Sequence, residues 1–504
     1  MKNRIALMFA ALAVMFCLVA CGNSKKPAAS SGEGETFKFG MMINYNQPEP
    51  PKDNSGMMQY WRDTLKADIS ITWVPTTAYN DKLGTQIAAT DLPEVVAART
   101  PKAPIIVDSV RDGLFWPIDK YLNNPAYPNL NRLNDTRLQT LKIDGAIYAL
   151  PRERDIARAG LYFRQDWLDK LGLSTPQTMD DVYNVIKAFT ERDPDGNGKR
   201  DTTGISMKGR NLGDFLTNIS IYYGGQSEWY AAEDGTIKNE VDNPAYQKAL
   251  DFFRNAYAGG YVISNLVENT DEYVPFQQGR AGLVFVNAVT DIVDAQLKIA
   301  QVFPEAKVGF TQRIRTPKGD YAMRAHIGYT GALMFPRTSI KDEGQLERIM
   351  KFYDLLGSDE NALIMRRGFE GKHYTIQDGY LSVTEAQTKQ FREVDFPDAD
   401  QLTPFGVTKP VPERMSDPLQ QAIQDSVDSY DGKLYPKLSD IYLSDTLTKL
   451  GETLTDILKD ARMKYVIGQI DQAGWNRAVA DWRAAGGTKV AEELTAAYQA
   501  DQKK

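Results

Sequence analysis

Thiols are almost missing from this chain of 504 residues: its two cysteines, Cys17 and Cys21, both fall near the start. A body without cysteine forms no disulfide, offers no thiol nucleophile and builds no cysteine metal site. Histidine is as scarce, and His326 and His373 stand too far apart for a His-Glu-x-x-His zinc site. There is no Gly-x-Ser-x-Gly elbow and no glycine-rich phosphate loop ending in Lys-Ser or Lys-Thr. Basic tracts interleaved with aromatics are absent too, and with a formal net charge of -7 no nucleic-acid partner is expected. Internal repeats are missing. Carboxylates, at 66, are plentiful, so a glycosidase pair stays open on sequence alone.

What is present begins with a leader. Lys2 and Arg4 precede an apolar stretch over residues 5–20, which is short against the roughly 20 residues a spanning helix needs. This is the pattern of a secretory signal peptide, residues 1–20. Residues 18–21, Leu-Val-Ala-Cys, resemble the bacterial lipobox, whose cysteine receives a diacylglycerol before cleavage in front of it. The resemblance implies a mature chain starting at lipidated Cys21, held at the extracellular face of the bacterial cell membrane. A plain cleaved signal or a short membrane anchor is the alternative. Residues 21–35 are small and polar, a flexible tether.

The body, 42% hydrophobic over the whole chain, is long enough for two substantial cores. Residues 36–43 alternate and end in an apolar triplet, as a strand entering a buried sheet does; residues 70–75 repeat the pattern after a helical stretch at 57–66. Strand, helix, strand implies a parallel sheet. A helix over 81–90 and a strand over 92–97 continue it. Short β-rich runs recur at 281–286, 306–310 and 331–335, and the C-terminus reads as helices broken at Gly468, Gly474 and Gly486-Gly487. Thr178 followed by Asp181 is a capping box, and Val182, Val185, Ile186 and Phe189 form the buried stripe of the helix it opens.

Several of these blocks together resemble the extracellular solute-binding proteins, family 1, of ABC importers, in the long lipoprotein branch that includes alginate-binding proteins. They are residues 92–96 (Leu-Pro-Glu-Val-Val), 116–122 (Trp-Pro-Ile-Asp-Lys-Tyr-Leu), 145–151, 161–172, 276–282 and the helices over 475–498. The fold implied is α/β and two-lobed, like periplasmic binding proteins, with parallel-rich sheets, crossing hinge strands and a helical C-terminus. Lobe one is expected over 36–150 and lobe two over 151–280. Residues 281–400 should return mostly to lobe one and the hinge, and 401–504 should complete lobe two with the C-terminal helices. The function implied is binding, not catalysis: a monomer captures an oligosaccharide in an interlobe cleft and delivers it to ABC permease subunits. A non-sugar solute such as a peptide, a surface glycan adhesin and a glycosidase are the alternatives.

Asp193, Asp195, Asn197 and Asp201 take positions 1, 3, 5 and 9 of an EF-hand-type loop, with Gly198 at the turn and the Lys199 carbonyl at position 7. Alternating oxygens around a tight glycine turn converge on one point, which suits structural Ca2+. Gly204 stands at position 12 in place of a bidentate glutamate, and Thr202 stands where alginate-binding relatives carry another acidic ligand. An Asp/Gly-rich solvated turn is the other reading.

For the ligand, sugars call for aromatic plates and planar hydrogen-bonding groups. Asn44, Tyr45 and Asn46 end the first strand, at the edge where open α/β sheets bind ligands. Arg152 and Arg154 follow the first crossing between lobes, placed to bind hydroxyls or to pair with Glu153 and Asp155. By resemblance, Trp229 matches a cleft tryptophan of alginate-binding relatives, or else packs beside a hairpin. Arg367, Glu370, His373 and Tyr374 lie in a segment resembling the family's Gly-x-Glu-Gly-x-x-Tyr turn near the cleft. The basic excess of Arg366, Arg367 and Lys372 there would suit an acidic sugar.

Overall fold

A computed structural model describes residues 36–503 apart from 48, 134, 135, 264, 265, 267, 269, 270 and 416. The leader, Cys21 and the whole tether over residues 21–35 lie outside the described residues. Nine strands build two sheets: β1 (Phe37–Tyr45), β2 (Ala67–Pro75), β3 (Val95–Ala98), β4 (Ala149–Glu153), β5 (Gly160–Arg164), β6 (Thr203–Ser206), β7 (Ala281–Val286), β8 (Val308–Thr311) and β9 (Tyr329–Met334). The first sheet runs β2-β1-β3-β9-β4 and the second β8-β5-β7-β6.

The early alternation gives the expected units. Helix Gly56–Asp63 connects β1 to β2, which lie parallel with Phe37 opposite Ala67 and Tyr45 opposite Pro75. Helix Tyr79–Ala89 leads to β3, parallel to β1. Met41, Met42 and Ile43 are buried with Val95, Val96 and Leu333 in the lobe-one core. Burial of both faces explains why these strands read as continuous apolar runs.

Lobe two is built on β5 to β8. Leu283 and Phe285 of β7 join a core with Trp167, Phe189, Phe253 and the C-terminal residues Trp475, Trp482 and Leu494. Val284 and Val286 point to the opposite face, against Ile292, Ile299, Ile423 and Val427. The Thr178 capping box forms as expected: its hydroxyl accepts the Asp181 amide at 3.2 Å, and Asp181 accepts the Thr178 amide at 3.0 Å. Helices Asp445–Val466, Gln472–Trp482 and Thr488–Asp501 cover this lobe.

The expected return to lobe one near 281 needs correction. β7 pairs with β5 and β6, and β8 pairs with β5, so both belong to the second sheet; the chain rejoins the first sheet only at β9. An all-apolar hexamer announces a buried strand but not which sheet receives it. Leu402 and Phe405 still pack in lobe one, so the last crossing falls later than 401. The chain therefore passes between the sheets three times, between β4 and β5, between β8 and β9, and after Phe405.

Candidate ligand-binding site

β1, β3 and β4 run in one direction, because β9 is antiparallel to both β3 and β4. Their carboxyl ends thus share an edge, which carries Asn44 to Asn46, Arg99, and Arg152 to Arg154. Asn44 is 3% exposed and Arg152 wholly buried. The Arg152 guanidinium donates to Asn44 Oδ1 at 3.0 Å, to Gln401 Oε1 at 2.7 Å and to the Thr330 carbonyl, while Asn44 Nδ2 donates to Gln401 at 3.2 Å. Burial lowers the guanidinium to about 10, so it stays charged at neutral pH. A buried charge is tolerable only when its donors are largely met, and here polar groups from three distant segments meet the two terminal nitrogens, while Nε has no partner among the described residues.

The same edge gathers other expected residues. The Asn46 amide donates to Asp398 Oδ1 at 3.3 Å, and Arg154 pairs with Asp400. Tyr45 is half-buried at the strand end, its carbonyl accepting from the Thr76 hydroxyl at 2.8 Å. Beside Asn46 lies a cavity of about 450 Å³, walled by Arg366, Arg367, Phe391, Phe396, Asp398 and Asp400 among others. The loop 398–401 that closes the network was not foreseen. Asp-Ala-Asp-Gln carries no motif, and Arg152 and Gln401 are 249 residues apart in sequence.

Around 366–374 the structure reduces the expected basic surplus to one charge, since three cations meet two carboxylates. Arg366 and Arg367 both bind Glu413, at 3.0 and 2.9 Å to the same oxygen. Burial alone would raise the Glu413 carboxyl, but the two guanidinium groups override it and bring it to about 2. Lys372 pairs with Asp395 at 2.8 Å. His373 is buried: its Nδ1 accepts the Phe369 amide and its Nε2 meets Asp395, both at 2.9 Å, which places the proton on Nε2. Tyr374 is buried too, its carbonyl accepting the Gly371 amide, and Glu370 is exposed. Of these, Arg367 reaches the cavity; His373, Glu370 and Tyr374 shape the turn behind it.

Trp229 belongs elsewhere. It is 2% exposed in the lobe-two core, opens the hairpin Trp229–Ala231 with Ile237–Asn239, and lies 5.9 Å from the Trp482 ring. One edge borders a separate cavity of about 290 Å³ near Glu228, Glu240, Lys437 and Arg462. The hairpin-packing reading describes its place, and its burial leaves little of the ring exposed.

In the loop 193–201, Asp193 turns its oxygens inward, accepting the amides of Gly196, Asn197 and Gly198 at 3.0 to 3.1 Å. Asn197 Nδ2 lies 2.8 Å from Asp195 and 3.1 Å from Asp201, so those carboxylates converge on one point. The Lys199 amide donates to Asn197 Oδ1 at 2.7 Å. Asp195 is raised by burial and by Asp193 beside it. Among the described residues no group of three or more acidic, histidine or cysteine side chains is placed to hold a metal ion, while the donor types of this loop, carboxylates, an amide oxygen and a carbonyl, fit a hard cation. Gly204 cannot be an acid: a Cβ there would sit 2.5 Å from the Ile186 Cβ and carbonyl, so close helix-to-strand packing excludes the usual twelfth ligand.

At 29% identity over 504 residues, covering 99% of both chains, the protein is similar to the polygalacturonan/rhamnogalacturonan-binding protein YtcQ of Bacillus subtilis (strain 168). It is 28% identical to lipoprotein LipO of the same organism, over the full length of each. Its fold resembles an extracellular solute-binding protein of Bifidobacterium longum subsp. infantis, with a TM-score of 0.71 at 16% identity over 92% of this chain and 98% of that one. It also resembles an EF-hand mutant of the ABC-transporter substrate-binding protein FusA of S. pneumoniae, solved with fructo-nystose, with a TM-score of 0.65 at 16% identity over 92% and 99%. Residues 49–363 match the bacterial extracellular solute-binding proteins, and the chain, a binding protein rather than an enzyme, belongs to that family.

Proposed function

We propose that this protein is an oligosaccharide receptor, tethered through a lipid on Cys21 to the outer face of the cell membrane, that passes its ligand to an ABC permease. One observation carries the assignment to the lobe-one edge: the buried network of Arg152, Asn44 and Gln401 fixes polar strand ends beside a cavity of about 450 Å³. Polar groups buried this deeply at strand ends, next to a concave surface, are the usual make-up of a ligand site in α/β sheets. The sugar class is supported by the relatives: YtcQ is named for polygalacturonan and rhamnogalacturonan, and FusA was solved with fructo-nystose. The anchor is supported by the name of LipO and by the lipobox-like residues 18–21.

A ligand that touches both lobes favours the closed form, since only contacts made to both distinguish closed from open. Between the lobes, Lys102 donates to the Asp440 and Ile441 carbonyls at 2.6 and 3.1 Å, and Arg111 pairs with Asp445 at 3.0 Å. Opening must break these contacts. The loop 193–201 holds Ca2+ through Asp193, Asp195, Asn197, the Lys199 carbonyl and Asp201, in a structural role.

A glycan-array and thermal-shift screen on the mature body tests the function. Saturable binding of an oligosaccharide, without product, is expected; a broad screen with no carbohydrate hit would move the ligand to another solute class. Cys21→Ser should release the protein from the membrane fraction, and retention there would mean another segment anchors it.

A further inference from the structure

Asn197 and Gly198, at the centre of the loop 193–201, form the chain's one Asn-Gly step. Asparagine is chemically labile, and a following glycine exposes it most, because glycine has no Cβ to shield its own amide nitrogen from the preceding side chain. Both residues face water, and apart from chain neighbours no heavy atom of the described residues lies within 4 Å of the place a Gly198 Cβ would take. The Lys199 amide donates to Asn197 Oδ1 at 2.7 Å, which draws electrons from Cγ and makes it the better electrophile. The Gly198 N–H points at Asp193 Oδ2, 3.0 Å away, so the hydrogen that must leave has an acceptor in place. Nucleophile and electrophile are adjacent in the chain, and attack needs no encounter.

The step Asn54-Ser55 makes the contrast. Ser55 is buried, its amide donates to the Lys52 carbonyl at 3.0 Å, and its hydroxyl caps the helix that follows. Nothing holds Asn197 in that way except the loop itself. With Ca2+ in the loop, Asn197 Oδ1 and the Asp193 carboxylate are engaged as ligands, and neither serves the attack.

Resting on the calcium reading of this loop, we infer that Asn197 is a site of spontaneous deamidation open only while the loop is empty, so that a lapse in calcium becomes a permanent change in the chain. The Gly198 nitrogen bonds to Asn197 Cγ and the Cγ–Nδ2 bond breaks; Nδ2 departs as ammonia, the Gly198 hydrogen reaching it through solvent. The cyclic imide left behind takes up one water. Opening at Cγ gives aspartate, and opening at the main-chain carbonyl carbon gives isoaspartate, a net exchange of ammonia for water with no change of oxidation state. Aspartate keeps an oxygen ligand at this position. Isoaspartate adds a methylene to the backbone and puts Asp193 and Asp195 out of step with Lys199 and Asp201.

The test ages the mature body in warm, mildly alkaline buffer, with EDTA or with calcium, and follows the Asn197 peptide by mass spectrometry. In EDTA the peptide should gain the mass difference between amide and carboxyl, take up heavy oxygen from labelled water and show isoaspartate on fragmentation, while the Asn54 peptide stays intact. Calcium about a hundredfold above its dissociation constant should slow conversion about a hundredfold, as only unoccupied loops react. Asn197→Gln, which would have to close a larger ring, should not convert. Gly198→Ala should convert more slowly, with a melting curve to check that the left-handed position at φ 78° still folds. Aged protein rich in isoaspartate should lose its calcium-dependent rise in melting temperature, whereas Asn197→Asp keeps it. An Asn197 peptide that stays intact in EDTA, that converts no faster than the Asn54 peptide, or that ignores calcium in a protein that binds it, would overturn the inference and spare the calcium site. Calorimetric titration of fresh protein with calcium keeps the two apart: no binding there overturns the calcium reading, and the gating with it.

Discussion

The two lobes can be compared through one buried polar network and one pair of tryptophans. Lobe one sets a buried polar network at the carboxyl edge of its sheet, where Arg152, Asn44 and Gln401 bind one another beside a cavity. Lobe two draws its tryptophans inward: Trp229 and Trp482 face each other beneath the C-terminal helices. Under the proposed function, position on a strand end marks the ligand site better than residue type does. An aromatic with suitable chemistry is core unless the topology leaves its face open.

The largest effects should come from cutting into both features. Arg152→Ala leaves Asn44, Gln401 and the Thr330 carbonyl without their shared donor, and should cost about 3 to 5 kcal/mol of stability in urea unfolding. Trp229→Ala should cost a similar ~3 to 5 kcal/mol as a core truncation, with sugar affinity of the folded fraction unchanged. If Trp229→Ala instead abolished binding and left stability intact, the contrast between lobes would fail.

Acid should sharpen the comparison next. The Glu413 carboxyl titrates at about 2 in the fold, below the roughly 4.3 of an unfolded glutamate. Its contribution is complete above about pH 4.5 and is lost as pH falls towards 2, because the unfolded chain takes up the proton first. Wild type should lose up to about 3 kcal/mol across that window from this group, and Glu413→Gln should flatten that limb. An unchanged acid limb would mean the Arg366 and Arg367 pairing contributes no stability.

Chelation acts on lobe two. EDTA should remove about 2 to 3 kcal/mol if calcium is present near a hundredfold above its dissociation constant, and Asp195→Ala should abolish that sensitivity in differential scanning calorimetry. If EDTA leaves the wild-type melting curve unchanged, the loop is a solvated turn. The smallest effect belongs to Arg154→Ala, whose half-buried pair with the more exposed Asp400 should be worth less than about 1 kcal/mol. A larger loss would extend the buried network to the cavity rim.

Much of the fold was legible because period and capping are local: the early strand-helix-strand units, the Thr178 box and the three C-terminal helices follow from spacing. The sheet that receives 281–286 was not, since an apolar run on both faces is the same in either lobe. At the candidate site, Asn44, Asn46, Arg152 and Arg154 were legible from their place at strand ends and a crossing. Asp398 and Gln401 were hidden because only tertiary closure brings a loop without pattern against strands 249 to 357 residues earlier in the chain. The partners of the basic residues at 366–372 were hidden for the same reason, as Glu413 and Asp395 arrive from outside the window.

The most direct test is a crystal structure of the mature body with the tightest oligosaccharide from the screen. Sugar density against Asn46 and Asp398 at the lobe-one edge is the predicted result. Density beside Trp229 in lobe two, with the edge of lobe one bare, would contradict it.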